Sequence, residues 1–101
     1  MISKRIKTIA DYVPNNSNVI DVGCDHALLD ISLVKKNNCK CIAIDKISEC
    51  IEVSSSNVLK NKLTNQIKVI KNDGLKGIEY HSNTHIVLAG LGYRTILKID
   101  S

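Results

Sequence analysis

Four short apolar runs, each followed by a glycine or an aspartate, constrain the fold of this 101-residue chain more than any other feature. They cover residues 19–22, 39–44, 67–70 and 85–89. The first has the composition of a parallel strand buried on both faces, and segments with helical spacing lie between the first three. This alternation predicts right-handed crossovers and an α/β fold, a parallel sheet with helices on both faces.

The helical segments have recognisable limits. Apolar residues spaced by three and four predict an N-terminal helix at about residues 3–13, with Ser3 as its N-cap and Pro14 after its end. A second helix is predicted over 27–34. A third starts at Ser48 and closes at Asn65, although serines at 54–56 are weak helix formers. A short helix over 75–80 and the start of another over 93–99 complete the prediction.

The predicted sheet stops early, because the chain ends one helix after the fourth strand. That strand would then lie at the edge of a half-sheet with unpaired backbone groups. We therefore expect self-association or a partner chain that covers this edge. All 101 residues are expected to form one partial domain.

Composition excludes several classes of protein. The chain is 44% hydrophobic and 24% charged, as in ordinary soluble domains. No apolar run approaches the roughly 20 residues of a spanning helix, and the charged N-terminus lacks the apolar region of a signal peptide. We expect a cytoplasmic protein without membrane association.

The cysteines and the basic residues carry weaker signals. Cys24, Cys39, Cys41 and Cys50 form no C-x-x-C pair and have no histidine at zinc-site spacing, so we expect reduced thiols and no metal. Cys39 and Cys41 should share one face of a strand. A net charge of +4 helps binding to a polyanion, but three tyrosines and no other aromatic residue offer few stacking surfaces.

Polar and glycine residues follow the end of each predicted strand, which is where open parallel sheets bind ligands. They are Gly23 and Asp25, then Asp45, then Asp73 and Gly74, and finally Gly90 and Gly92. Asp45 lies about 20 residues after the first glycine turn, where a carboxylate accepts hydrogen bonds from ribose hydroxyls. The alternative is that Asp45 only caps the next helix.

The first turn distinguishes two cofactors. Asp25 would face the pyrophosphate of NAD at an electrostatic cost, whereas S-adenosylmethionine has no phosphate and presents an ammonium and a sulfonium. The turn therefore favours S-adenosylmethionine, with a helix cap as the alternative role of Asp25. Asp73 is placed to hold an adenine amino group, or is part of an ordinary Asp-Gly turn.

Several motifs together resemble the bacterial tRNA adenine-N1 methyltransferases that modify adenine 22 of tRNA. The motifs are SKRIKTIADYVP, DVGCDHALL, the acidic residue of AIDK, NDGL and LAGLG, with Asn57 late in the second crossover helix. The most specific positions are Asp21, Gly23, Asp25, His26, Gly90 and Gly92. The resemblance covers essentially the whole chain and implies a Rossmann-like class I methyltransferase fold, truncated after the fourth strand.

The same resemblance implies an N-terminal fragment of an S-adenosylmethionine-dependent enzyme whose substrate is tRNA. The sequence shows no evident general base. Methyl transfer has little need of one, because it mainly requires in-line positioning and an unprotonated N1. The candidate cofactor-binding residues are Asp21, Gly23, Cys24, Asp25, His26, Asp45, Lys46, Asn72, Asp73, Gly74 and Gly90. The candidate substrate-binding residues are Arg5, Gly92 and Tyr93.

Four positions depart from the family pattern. Asp30 stands where the family has proline, Glu49 and Cys50 replace Gly-Pro, and Tyr93 replaces a second glycine, where it would crowd the target base or stack on it. Family members also continue into further strands and a C-terminal helical extension implicated in holding tRNA. The alternative functions are a non-catalytic cofactor- or partner-binding remnant and a fragment of a nucleotide-binding oxidoreductase.

Overall fold

The computed structural model describes residues 4–81, 83–88 and 96–99, without the side chains of Arg5 and of 96–99. In chain order, the elements are α1 (Lys4–Tyr12), β1 (Asn18–Val22), a 3-10 turn (Asp25–Ala27), α2 (Leu28–Asn37), β2 (Lys40–Asp45), α3 (Ser48–Lys60), β3 (Ile67–Lys71), β4 (Thr84–Leu88) and β5 (Ile96–Ile99). From α1 to β3 the chain alternates helices with strands, as the sequence predicts.

The strands form one sheet in the order β3-β2-β1-β4-β5. β1 to β4 are mutually parallel, and Ile20 in the centre pairs with Ile42 on one side and Ile86 on the other. The chain moves outward from β1 through β2 to β3 and then returns to place β4 on the other side of β1. The carboxyl end of β1 is therefore the switch point at which such sheets bind ligands. The predicted Rossmann-like parallel sheet is confirmed.

Apolar side chains cover both faces of the sheet, as expected for strands buried on both sides. On one face, Val19 and Ala43 pack in a core that also contains residues of all three helices, namely Ile9, Ala10, Leu29, Ile31, Leu33, Val34 and Val58. On the other face, Ile20, Ile44 and Ile86 are buried against Leu75 and Ile78. Within the described ranges the helices thus lie on one face, and the segment after β3 covers part of the second face, where the sequence predicts helices.

The helix predicted over residues 75–80 does not form. The segment makes separate turns, in which the Lys76 amide donates to the Asp73 carbonyl at 3.2 Å and the Ile78 amide donates to the Leu75 carbonyl at 3.0 Å. Gly77 interrupts them with a φ of 73°. A left-handed residue at this position ends a right-handed helix before it can propagate.

The helix predicted over residues 93–99 is also wrong where the structure describes it. Residues 96–99 form β5, antiparallel to β4, with Leu97 opposite Ile86. Pairing with an unfilled strand edge satisfies backbone groups that a short surface helix would leave unused, and isoleucines at both ends of the segment favour a strand. β4 is consequently an inner strand, so the premise of an exposed fourth strand is corrected.

The ends of the helices differ from the sequence prediction in detail. The predicted N-cap Ser3 lies outside the described residues. Asn37 stabilises the end of α1, where its amide nitrogen donates to the carbonyls of Ala10 at 3.1 Å and Val13 at 2.7 Å. α3 ends at Lys60, before the predicted end at Asn65.

The cysteines are free thiols, and Cys39 and Cys41 are buried in the same core, although Cys39 lies just before β2 and not within it. No group of potential metal ligands occurs among the described residues. None of the described helices has the length and apolar character needed to span a membrane.

Candidate functional site

Backbone hydrogen bonds hold the carboxyl ends of the first three strands together. The amides of Gly23 and Cys24 both donate to the carbonyl of Ile44, at 2.8 and 3.1 Å, which ties the turn after β1 to the end of β2. The amide of Asn72 donates to the carbonyl of Asp45 at 2.9 Å, which ties the end of β3 to the same place. The candidate residues that follow these strands therefore share one edge of the sheet.

The turn after β1 has an unusual backbone. Gly23 has a φ of 77°, and the three residues Asp25, His26 and Ala27 have φ values of 41°, 65° and 63°. Left-handed geometry costs a residue with a Cβ about 1–2 kcal/mol, so three in succession require support from their surroundings. The amides of Gly23, Cys24 and Ala27 all donate to protein carbonyls. These three amides are therefore not available to cradle a phosphate.

Asp25 does not act as a helix cap. Its side chain is exposed, and neither the 3-10 turn nor α2 begins with a side-chain capping hydrogen bond. Ala27, in the left-handed conformation, is the residue at the N-cap position of α2. The capping alternative considered for Asp25 is wrong, and its carboxylate faces solvent beside the site.

Asp45 has a structural role at the start of α3, and its contact with a ribose stays a prediction. Its Oδ1 accepts a hydrogen bond from the Ile47 amide at 3.0 Å and so orders the entry to α3. A carboxylate has about four acceptor positions, so this bond leaves capacity for hydroxyl groups of a ligand. Sequence reasoning missed the neighbouring Ile47, an apolar side chain that is 51% exposed beside this carboxylate. Its signal was an isoleucine directly before a helix start, where a capping residue is usual.

Several carboxylates lie at this edge of the sheet, where desolvation and these charges raise the pKa values of two nearby thiols. The pKa of Cys24 is raised to about 11, mainly by burial. The hydrogen bond with Ser54 lowers this pKa, and the charges of Asp21 and Asp45 raise it further. The pKa of Cys50 is also raised, first by desolvation and then by Asp45, Asp25 and Glu49. The carboxylates close to these two thiols suit a cationic ligand better than a phosphate.

Behind the turn, Asp21 and Asp30 form a buried pair of acids, with 1% and 0% of their surfaces exposed. Neither Asp30 oxygen receives a hydrogen bond from an N–H or hydroxyl group of the described residues. Burial, followed by the charge of Asp21 and a hydrogen bond with it, raises the pKa of Asp30 well above its usual range. Asp30 therefore keeps its proton to a higher pH than an ordinary aspartate does. The sequence analysis identified Asp30 only as a residue that stands where the family has proline.

The segment after β3 contributes mainly through its backbone. The Asn72 side-chain amide donates to the carbonyls of Gly74 at 2.8 Å and Lys76 at 2.9 Å, so it shapes the loop. Gly74 has a φ of 57°, and a Cβ there would meet no atom within 4 Å, so glycine serves the turn geometry. The side chains of Asp73 and Lys46 are exposed at the same edge.

Gly90, Gly92 and Tyr93, together with the side chain of Arg5, lie outside the described residues. The described site therefore brings together the turn after β1, Asp45 with Lys46, and residues 72–74.

The strand order and the acidic switch point define a Rossmann-like domain of the methyltransferase class. The family described as "Methyltransferase domain" matches residues 2–100, and the chain belongs to it. The more specific resemblance to the tRNA adenine-22 N1-methyltransferases is confirmed by similar proteins of that kind. The tRNA (adenine(22)-N(1))-methyltransferase of Bacillus subtilis is 32% identical over 99 residues, which are 97% of this chain and 42% of the relative.

Solved structures agree with this assignment. TrmK of M. capricolum, in complex with S-adenosyl-homocysteine, superimposes with a TM-score of 0.75 and 33% identity over 85% of this chain and 41% of that one. The m1A22 tRNA methyltransferase TrmK of B. subtilis has a TM-score of 0.73 and 32% identity over 78% of this chain and 34% of that one. The chain thus spans less than half the length of these relatives.

Proposed function

We propose that this chain is the N-terminal, cofactor-binding part of an S-adenosylmethionine-dependent methyltransferase that acts on N1 of an adenine in tRNA in the cytoplasm. The observation that carries the proposal is the turn after β1, where the amides of Gly23, Cys24 and Ala27 donate to protein carbonyls and the carboxylates of Asp25 and Asp45 lie close by. Carboxylates beside a turn in which three amides are already bonded fit a cationic cofactor better than a pyrophosphate. Residues 1–101 are proposed to form one partial domain.

Each part of the site has a proposed task toward the cofactor. Asp45 would accept hydrogen bonds from the ribose hydroxyls, and Ile47 would provide an apolar wall for the adenine ring. Asp73 would face the adenine amino group. The acidic turn around Asp25 would lie near the ammonium and sulfonium charges, with Gly23 allowing close approach of the backbone.

The chemistry requires little from side chains other than positioning. When bound, S-adenosylmethionine supplies a methyl group on a positively charged sulfur, and the acceptor is the lone pair of an unprotonated adenine N1. The protein's task is to align the two and to exclude water. Arg5, Gly92 and Tyr93 are proposed to contact the tRNA, as the similarity to tRNA methyltransferases supports.

Isothermal titration of S-adenosyl-homocysteine into the 101-residue chain tests the proposal. We expect saturable micromolar binding that excess NAD does not displace. A chain that is folded by circular dichroism and does not bind would contradict the proposal. Displacement by NAD would instead support the oxidoreductase alternative.

Asp45 provides the sharper test. We expect Asp45→Ala to weaken S-adenosyl-homocysteine binding by about 1–3 kcal/mol, because charge-assisted hydrogen bonds to the ribose are lost. Asp11→Ala, at an exposed position on α1, is the control and should bind normally. Equal affinities for both variants would remove the ribose assignment, and thermal melts of both exclude unfolding as the cause.

A different experiment distinguishes a catalytic methyltransferase from a non-catalytic remnant. A protein extended to the length of its relatives should methylate tRNA transcripts when S-adenosylmethionine is supplied, and should lose this activity with Asp45→Ala. Cofactor binding without methyl transfer by that longer protein would favour the remnant.

A further inference from the structure

Helix α3 contacts the left-handed turn through two polar side chains. The Asn57 side-chain amide donates to the carbonyl of His26 at 2.9 Å. Ser54 is completely buried, and its Oγ lies 3.4 Å from Sγ of Cys24, within hydrogen-bonding reach of sulfur. Residues three apart lie on the same face of a helix, so Ser54 and Asn57 form one contact surface toward the turn.

These contacts explain two odd features of the sequence of α3. Serine is a weak helix former, and a fully buried serine usually needs a partner, which Cys24 provides here. An asparagine such as Asn57 is common on the solvent face of a helix, but here its side-chain amide donates to the carbonyl of His26, 31 positions away in sequence. Both residues therefore serve the turn rather than the helix.

The turn needs such support, because its backbone is unfavourable in isolation. Three successive residues with side chains have positive φ values, and within the turn the bond from the Ala27 amide to the Cys24 carbonyl, at 2.9 Å, closes it. Strained backbone persists only where surrounding contacts determine it. The contact surface on α3 supplies them from outside the turn.

We propose that Asn57 and Ser54 are positioning residues that hold residues 25–27 in the left-handed conformation and so present Asp25 to the cofactor before it binds. The inference rests on the proposed cofactor site. Preorganisation of this kind raises affinity, because the ordering cost is met during folding and not on binding.

The test compares two asparagines of the same helix region. Asn57→Leu removes the bond to the turn, whereas Asn61→Leu removes bonds to the Asn57 carbonyl and to Lys35 that do not involve the turn. We expect Asn57→Leu to weaken S-adenosyl-homocysteine binding roughly tenfold, the usual effect of one lost hydrogen bond, and Asn61→Leu to leave it within about twofold. Similar losses for both variants would overturn the proposal.

A glycine substitution separates positioning from general stability. Ala27 has a φ of 63°, which glycine adopts without strain. Adding Ala27→Gly to Asn57→Leu should recover a large part of the lost affinity, because the turn then needs less support. The same glycine added to Asn61→Leu should bring no gain. Absence of selective rescue would overturn the proposal.

Hydrogen exchange of the ligand-free protein keeps the test independent of the proposed function. The Ala27 amide should exchange faster in Asn57→Leu and in Ser54→Ala than in the wild type or Asn61→Leu. If the wild type binds no S-adenosyl-homocysteine, the proposed function fails, and exchange alone decides whether α3 holds the turn. Unchanged Ala27 exchange in Asn57→Leu would overturn the inference.

Discussion

The carboxyl group of Asp30 links the stability of the fold to pH. Burial first, and then Asp21, raise its pKa, so the folded chain keeps this proton at pH values where the unfolded chain has lost it. The stabilising contribution is complete below the unfolded pKa of about 4 and is lost as the pH rises toward the raised pKa of the folded state.

We therefore expect Asp30→Asn to stabilise the protein near neutral pH by about 1–3 kcal/mol, because the amide keeps the shape of the acid and needs no proton to donate to Asp21. The gain should shrink as the pH falls toward about 4. Urea unfolding at both pH values measures it. Asp11→Asn, at an exposed position, should change stability by less than about 0.5 kcal/mol at either pH. Destabilisation by Asp30→Asn at neutral pH would contradict a raised pKa for Asp30.

Two glycines test whether the turn is a binding site. Gly23 and Gly77 have φ values of 77° and 73°, so alanine at either position costs about 1–2 kcal/mol of backbone strain. Only Gly23 lies in the proposed cofactor site. Gly23→Ala should therefore lose S-adenosyl-homocysteine affinity in calorimetry, whereas Gly77→Ala should bind normally at a similar cost in stability. Equal affinities would place the ligand elsewhere.

Some residues of the site could be predicted from the sequence and others could not. Asp45 was predicted from its spacing after the glycine turn, and the structure places it at the shared edge. Asp30 and Ile47 were missed as site neighbours, because burial and exposure depend on packing between distant segments. Asp25 was weighed as a cap, which assumed ordinary helical geometry for a turn that is left-handed.

At the scale of elements, strand positions were predictable and helix ends were less so. The apolar runs specify β1 to β4 directly, because a strand buried in a parallel sheet needs little more than an apolar composition. The segments 75–80 and 96–99 were predicted as helices from local spacing. A positive-φ glycine prevents the first, and pairing with β4 overrides the local pattern in the second.

β5 makes a prediction about association. It covers the edge of β4, so a chain that lacks residues 96–101 would expose that edge and should form concentration-dependent oligomers. Size-exclusion chromatography at several concentrations measures the effect. The 101-residue chain is the reference and should show less association at each concentration. Identical elution of both chains would mean that β5 does not protect the sheet.

At the scale of the whole molecule, the reactivity of the thiols tests both the buried core and the candidate site. Cys24, Cys39 and Cys41 are buried, whereas Cys50 is partly exposed beside Asp45. A thiol-specific chromophore should react with one thiol per native chain and with all four after unfolding. S-adenosyl-homocysteine should slow the native reaction. Fast labelling of a second thiol in the folded protein would contradict the described core.

The class of the molecule was predictable because its signals are local and repeated: the unit of strand, turn residue and helix occurs twice, at β1 with α2 and at β2 with α3. That all the described helices lie on one face of the sheet was not predictable, since nothing in a local pattern says which face of a sheet a segment will cover. In the described ranges α1, α2 and α3 all contribute to one core, and Leu75 and Ile78 contact the other face.

The central position of β1 bears on how the protein is made. β1 lies between β2 and β4, yet Val22 and its partner Leu88 are far apart in sequence. At synthesis rates of 5–20 residues per second, the ribosome needs roughly 3–13 s to travel from one to the other. During that interval the strand that leads into the turn after β1 lacks one neighbour. The pace of translation across this interval, rather than the strength of the finished sheet, sets how long the nascent chain is open to mispairing.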